Sequence, residues 1–352
     1  MKEKVCFRVL PESWKEGWGD EFDTGNEDLA SSFLDDLEDL ELLSRGESEE
    51  GRPLMLWRWG RGPIKVSLLA GCHSDEPLGP HVLRRWLKRC TRGAGDVESL
   101  LETFSFYICP HINPDGENKN LSWVKKYPDF DAYVGHAFRE KPGRDLEFGF
   151  PEMRKENVFW TQAMEKEGPF DLHLSLHGMG YSEGYLLLIE RHVQERCVEL
   201  QESFSRMAKG FGVGLHDHDR KGDKGFHYFG PGFSSTPEGK AMKGHFLKIG
   251  DELTASKFHL SSMEWMRSLG GDPVCLVSEL PLFYIRKGPE QSDPGTPTQH
   301  MALRKALGEG HKSNELLGFQ LEALGLERGC LSMLSLIDMA LVQVAKEKGF
   351  NY

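Results

Sequence analysis

The chain has 352 residues, 39% of them hydrophobic, enough to bury a large core in one large α/β domain or two smaller ones and to make disorder an unsuitable description. Its 43 Lys and Arg against 55 Asp and Glu leave a net charge of -12, concentrated between Asp20 and Glu50, so a nucleic-acid partner would be repelled. Its 7 cysteines, an odd number without paired spacing, point to a reducing, cytoplasmic compartment, and the opening MKEKVCFRVLPESWKEGW shows neither a signal peptide nor a membrane anchor.

In chain order, Leu29 to Leu43 reads as an acidic amphipathic helix and Ser44 to Gly51 as a loop. Pro53 to Trp59 and Ile64 to Ala70 read as a pair of strands separated by the turn GRGP, and His81 to Cys90 as a helix. Phe104 to Cys109 is a short apolar run, and Met153 to Glu165 a helix. Leu172 to His177 alternates, with Leu172, Leu174 and Leu176 on one face and His173, Ser175 and His177 on the other. Tyr185 to Ile189 and Val274 to Leu280 are further strands, and Met301 to Lys348 is mostly helical with a break near Glu327 to Cys330. With no repeat and no low-complexity linker, the pattern predicts one mixed α/β domain: an N-terminal acidic helical segment over 1–50, a core over 51–290 and C-terminal helices over 291–352.

Polar residues gather where these strands end. Ile64 to Ala70 runs out at His73 and Glu76, Phe104 to Cys109 at His111 and NPDG, Leu172 to His177 at His177, and Val274 to Leu280 at Glu279. Ligands of open α/β sheets sit outside the carboxyl ends of the strands. Two histidines and a carboxylate leave a fourth position open, as a catalytic zinc site requires, and His73, Glu76 and His177 form such a set. His173 lies four residues from His177, roughly 13 Å along a regular strand, so one metal cannot hold both; His173 reads as a hydrogen-bonded core histidine. Glu279, at the end of an apolar strand, is the candidate base, with an ion pair to Arg286 or Lys287 as the alternative. Cys72 reads as a small core residue, and HDHD at His216 to Asp219 as a solvated turn.

The motifs GCHSDE, HINPDG, GRDLEFGFP, LSLHG and VSELP, in this order, resemble those of zinc carboxypeptidases of the carboxypeptidase A type, from near GESEEGRP to about Leu282. The resemblance implies a single α/β domain with a mixed, mainly eight-stranded sheet flanked by helices. It also implies one Zn2+ on His73, Glu76 and His177, with Glu279 as general base and acid. The segment SSMEWM, from Ser261, is similar to the family segment lining the pocket beyond the scissile bond, which would put Met263 in its wall.

The departures from the family carry equal weight. Where GxDLNRNFP supplies an Asn-Arg pair that holds the substrate's terminal carboxylate, this chain has Glu147 and Phe148, with Arg144 just before. An acid facing an incoming carboxylate would repel it by about 1 kcal/mol at 4 Å in water and more at lower dielectric. Arg139 is the nearest candidate for stabilising an oxyanion, with Lys125 and Lys126 competing, and His259 stands closest to the position of the family's mobile tyrosine. The expected activity is hydrolysis of a peptide or, on the same fold, deacylation of an N-acyl amino acid; a binding protein that retains the fold without turnover is the non-enzymatic alternative. No membrane partner is expected, and the oligomeric state is not readable from the sequence.

Overall fold

The computed structural model describes residues 5–26, 29, 39–90, 97–287, 295–311, 315–316 and 318–352. Among these, eleven strands form one mixed sheet. They are β1 (Leu40–Glu47), β2 (Pro53–Trp59), β3 (Ile64–Ala70), β4 (Phe104–Cys109), β5 (Leu172–Ser182), β6 (Gly184–Ile189), β7 (Gly214–Leu215), β8 (Tyr228–Gly230), β9 (Phe233–Ser235), β10 (Val274–Lys287) and β11 (Gln320–Ala323). The order is β1-β2-β4-β3-β5-β10-β6-β9-β8, with β7 joined to β6 and β11 to β10. The expected eight strands are exceeded because β7, β8, β9 and β11, of two to four residues each, extend the sheet.

The inner strands are apolar throughout because helices cover both faces. β4 and β6 are buried at every position, the pattern of a sheet packed on two sides. On one face Leu172, Leu174 and Leu176 of β5 share a core with the helices α1 (Leu78–Cys90), α4 (Val198–Gly210) and α6 (Leu326–Glu347). On the other, Leu69 and Cys109 pack with Trp160 and Met164 of α3 (Lys155–Glu167) and with Trp265 and Met266 of α5 (Ser262–Ser268). Between these in sequence, α2 (Pro114–Val124) starts on the NPDG motif with Asn113 as its cap. Residues 5–18 lie over the first face, where Trp14 meets Trp59 and Trp86. α6, the one described helix long and apolar enough to cross a membrane, has 83% of its most apolar window inside the protein. All seven cysteines are free thiols.

Some expectations change. Residues 30–38 of the anticipated Leu29 to Leu43 helix lie outside the described residues, and its end is the edge strand β1, which pairs antiparallel with β2 as far as Glu47. β2 and β3 are not partners: β4 lies between them, antiparallel to β2 and parallel to β3. The C-terminal helix runs straight through Glu327 to Cys330, and the interruption falls earlier, at β11.

Candidate active site

β3 ends at Ala70 beside the center of the sheet, and the chain must turn at once to begin α1 at Leu78. Gly71 makes the turn with φ +82, where an added Cβ would come within 2.2 Å of His111 Nδ1. The turn sets His73 and Glu76 over the middle of β5, which does not end at His177 as expected but pairs with β10 as far as Ser182. His177 is held in register by Ser278, whose hydroxyl accepts from the His177 N–H at 3.0 Å and donates to its carbonyl at 2.9 Å. Glu279 stands directly beside His177 on the parallel neighbour β10.

Three ligand atoms converge. His73 Nδ1 lies 3.0 Å from Glu76 Oε1, His177 Nδ1 lies 2.9 Å from Glu76 Oε2, and the two Nδ1 atoms are 3.0 Å apart. Two ring nitrogens facing each other gain little from a direct contact, whereas donors about 2 Å from a shared four-coordinate zinc sit near this spacing. The far side of His177 explains which nitrogen is free. Its Nε2 is 3.1 Å from Glu147 Oε2 and 2.9 Å from Ser175 Oγ, so the proton belongs on Nε2 and the Nδ1 lone pair turns toward His73 and Glu76. Glu147 Oε1 in turn accepts from the Ser262 N–H at 3.1 Å and hydroxyl at 2.7 Å. Burial works against the charge on Glu147, but its bonds from His177 and Ser262 prevail and hold the carboxyl at about 2. Cys72, Glu147 and His177 make a second possible donor group, wholly buried and away from the cleft, where burial pushes the Cys72 thiol up to about 12; a catalytic metal needs the open set.

Through Glu76 the set borders a cleft of about 770 Å³, lined also by Glu279, Arg139, Tyr133, Tyr181 and residues of the 216–226 and 295–304 segments. Arg139 donates through Nε to Asp75 at 2.7 Å and also pairs with Glu76. Burial first, and the Glu76 charge second, push the Glu279 carboxyl up to about 7; a cation between the ligands would draw it back down. Tyr133 went unnoticed in the sequence, although Gly180 marks its place: a Cβ there would come within 1.8 Å of the Tyr133 hydroxyl.

Other expected residues lie elsewhere. His173 is fully buried, with Nδ1 3.0 Å from Ser67 Oγ and Nε2 3.3 Å from Ser262 Oγ, and burial lowers it to about 4. Glu147, expected against the substrate carboxylate, is buried beneath His177 instead. Phe148 packs with Phe246, Ala255 and Phe258, turned away from the cleft. Arg144 is exposed and paired with Glu49 at 2.6 Å, and Met263 sits in a buried cluster behind Leu186 and Leu188. None of these four, nor His259, lines the cleft. The motif positions were readable, but the directions of their side chains depend on the short turn Leu146–Phe148 and on the start of α5.

Residues 31–186 match the family model described as zinc carboxypeptidase, a span that contains all three converging ligands. Over this span the chain is similar to the zinc carboxypeptidase family. It is 33% identical over 153 residues to carboxypeptidase E of Caenorhabditis elegans, covering 38% of this chain and 30% of that protein. It is 28% identical over 138 residues to zinc carboxypeptidase A 1 of Anopheles gambiae, covering 36% and 31%. The matched stretches thus span less than a third of the length of these two relatives. In fold, the chain resembles a metallo-carboxypeptidase from Burkholderia cenocepacia, with a TM-score of 0.51 and 17% identity over 92% of this chain and 68% of that one. The chain thus has the mixed α/β fold of that structure, and its donor set fits the metal that the name of the matched family implies.

Proposed function

We propose that the chain is a zinc-dependent hydrolase of peptide bonds, carboxypeptidase-like, with its chemistry at His177 in the middle of β5. The observation that carries this reading is the convergence of His73, Glu76 and His177 at about 3 Å beside Glu279, on an open cleft. Zinc held by these three would polarise the scissile carbonyl and ease deprotonation of a water. Glu279, half-buried and next to His177, accepts that proton and returns it to the leaving nitrogen. Arg139, anchored by Asp75 at the cleft wall, offers positive charge to the developing oxyanion. Glu147 fixes the tautomer of His177 from behind, so the ligand need not reorganise when the metal enters.

The test is metal content joined to turnover. Purified protein should carry about one zinc per chain. His73→Ala, Glu76→Ala and His177→Ala should each lose it, whereas His173→Ala should keep it. Glu279→Gln should keep zinc while kcat on a panel of C-terminal dipeptides falls by roughly 100-fold. Zinc retained in all three ligand variants, or full activity in Glu279→Gln, would defeat the reading.

A further inference from the structure

If the hydrolase reading holds, the substrate's far end must be gripped by something, and the positions that grip it in the family are taken. Glu147 faces His177 and Phe148 is in a phenylalanine cluster, so neither reaches a ligand. Arg144 is engaged by Glu49, and Arg267, half-exposed and paired with Glu190 at 2.6 Å, does not line the cleft. Arg139 does line it, but both of its partners are the carboxylates of Asp75 and Glu76.

Arg220 is different. It lines the cleft from the 216–226 loop, half-buried, with its guanidinium carbon 3.8 Å from the ring centroid of Phe226. Stacking face-on leaves the N–H edges of the guanidinium in the plane of the fork, the orientation in which it binds a carboxylate through two bonds. Among the described residues no carboxylate comes within ion-pair distance of it: Glu279 and Asp223 act on it only from farther off, and Asp223 is bonded to His245 at 3.0 Å. Burial disfavours its charge, and Arg304, also lining the cleft, adds a like charge. A half-buried cation with no counter-ion among the described residues is favoured by an anion that arrives to complete it. Apolar side chains line the same cleft as Arg220 and Glu279. Leu186 is the antiparallel cross-strand neighbour of Glu279, and Leu188 and Phe226 continue the same cleft wall. A residue bound with its amide nitrogen at Glu279 would lay its carbon frame on this wall and bring a carboxylate to the arginine.

We propose that Arg220 is the specificity residue that binds the carboxylate of the residue released by hydrolysis, in place of the Asn-Arg pair of the family. The inference rests on the hydrolase reading for the location of the scissile bond, but carboxylate binding itself does not depend on turnover. The carboxylate is either the terminal one or one on the side chain, and the experiment separates them.

Calorimetric titration of the metal-free protein with 3-phenylpropanoate and with 3-phenylpropanamide tests the anchor without any contribution from zinc. The acid should bind the native protein roughly 100-fold more tightly than the amide, the scale of a charge-assisted arginine contact. The preference should vanish in Arg220→Ala and return in part in Arg220→Lys, which keeps the charge and loses the fork. Equal binding of acid and amide to the native protein, no measurable binding of the acid, or an undiminished preference in Arg220→Ala overturns the proposal. Zinc content equal to native in each variant shows that the site is still folded. On the zinc-loaded protein, kcat/KM for benzoyl-Gly-Phe, its C-terminal amide and benzoyl-Gly-Glu amide then locates the carboxylate. Selectivity for the first means the terminal group, and selectivity for the last the side chain; in Arg220→Ala either selectivity should collapse through KM, and its persistence counts against Arg220. If none of the three is hydrolysed, the hydrolase reading falls while calorimetry still decides on Arg220.

Discussion

His177 is held at both nitrogens, and the two contacts have different consequences. Nδ1 points to the metal position, and Nε2 to the buried Glu147. Replacing Glu147 by Gln keeps the size and an acceptor oxygen but removes the charge that makes His177 a stronger donor. Zinc affinity in Glu147→Gln should fall by 10- to 100-fold, the usual effect of changing a partner behind a metal-bound histidine. Competition with a calibrated chelator measures it, and an unchanged affinity would reduce Glu147 to a packing residue. At this scale the sequence was informative about types and poor about directions. His73 and Glu76 were legible because they follow a strand end; His177 and Glu279 were read as strand ends too, but β5 and β10 run on past them to Ser182 and Lys287. Glu147 was not, because the departure from GxDLNRNFP names the position while the Ser262 bonds decide where the carboxylate points.

At the scale of elements, the helix that follows the turn carrying His73 and Glu76 is tied to its neighbour by a buried ion pair. Arg84 of α1 makes two bonds to Glu117 of α2, Nη1 to Oε1 at 2.6 Å and Nη2 to Oε2 at 2.8 Å. Burial raises the Glu117 carboxyl, but the Arg84 charge outweighs it and holds it at about 2, against an ordinary 4.5. A carboxylate depressed in the folded state adds stability above its unfolded pKa, and that stability is lost as pH falls from about 4.5 through about 2. The difference corresponds to roughly 3 kcal/mol. Urea unfolding between pH 5 and pH 2 should therefore show a steeper loss in the native protein than in Glu117→Gln. That variant starts lower at pH 7 by about 3 to 5 kcal/mol, since Arg84 stays buried without its charge partner. Parallel pH profiles for the two proteins would remove the pair from acid unfolding. The short apolar strands β2, β3 and β4 were found at their true bounds, whereas β5 was read as ending at His177 and continues to Ser182. The end of the Leu29 to Leu43 stretch was misread, because Leu37, Leu40 and Leu42 fit helical and strand spacing together, and pairing with β2 decided for the strand at Leu40. The placement of β4 between β2 and β3 is likewise a long-range choice that no local turn signal carries.

Across the whole molecule, the site lies where β3 ends beside Leu176 of its longer parallel neighbour β5 near the middle of the sheet, and the helical layers on both faces hold these strands in place. One layer is closed by the N-terminal residues through a single side chain. Asp338, within α6, accepts the backbone N–H groups of Arg8, Val9 and Leu10 at 2.9, 2.8 and 2.8 Å. With these three bonds residues 5–10 are pinned across the apolar face that α6 shares with Leu172, Leu174 and Leu176, and so against the back of the strand that carries His177. In Asp338→Ala the three donors lose their acceptor, and where water does not reach them each contributes an unsatisfied polar group. The variant should unfold at lower urea by an amount equivalent to about 2 kcal/mol, with zinc content unchanged because the ligands stand on the other face of β5. Limited proteolysis should then cut within residues 5–10 first. An unaltered urea midpoint together with an N-terminus that stays resistant would mean that Val5, Phe7 and Leu10 hold the segment by apolar packing alone.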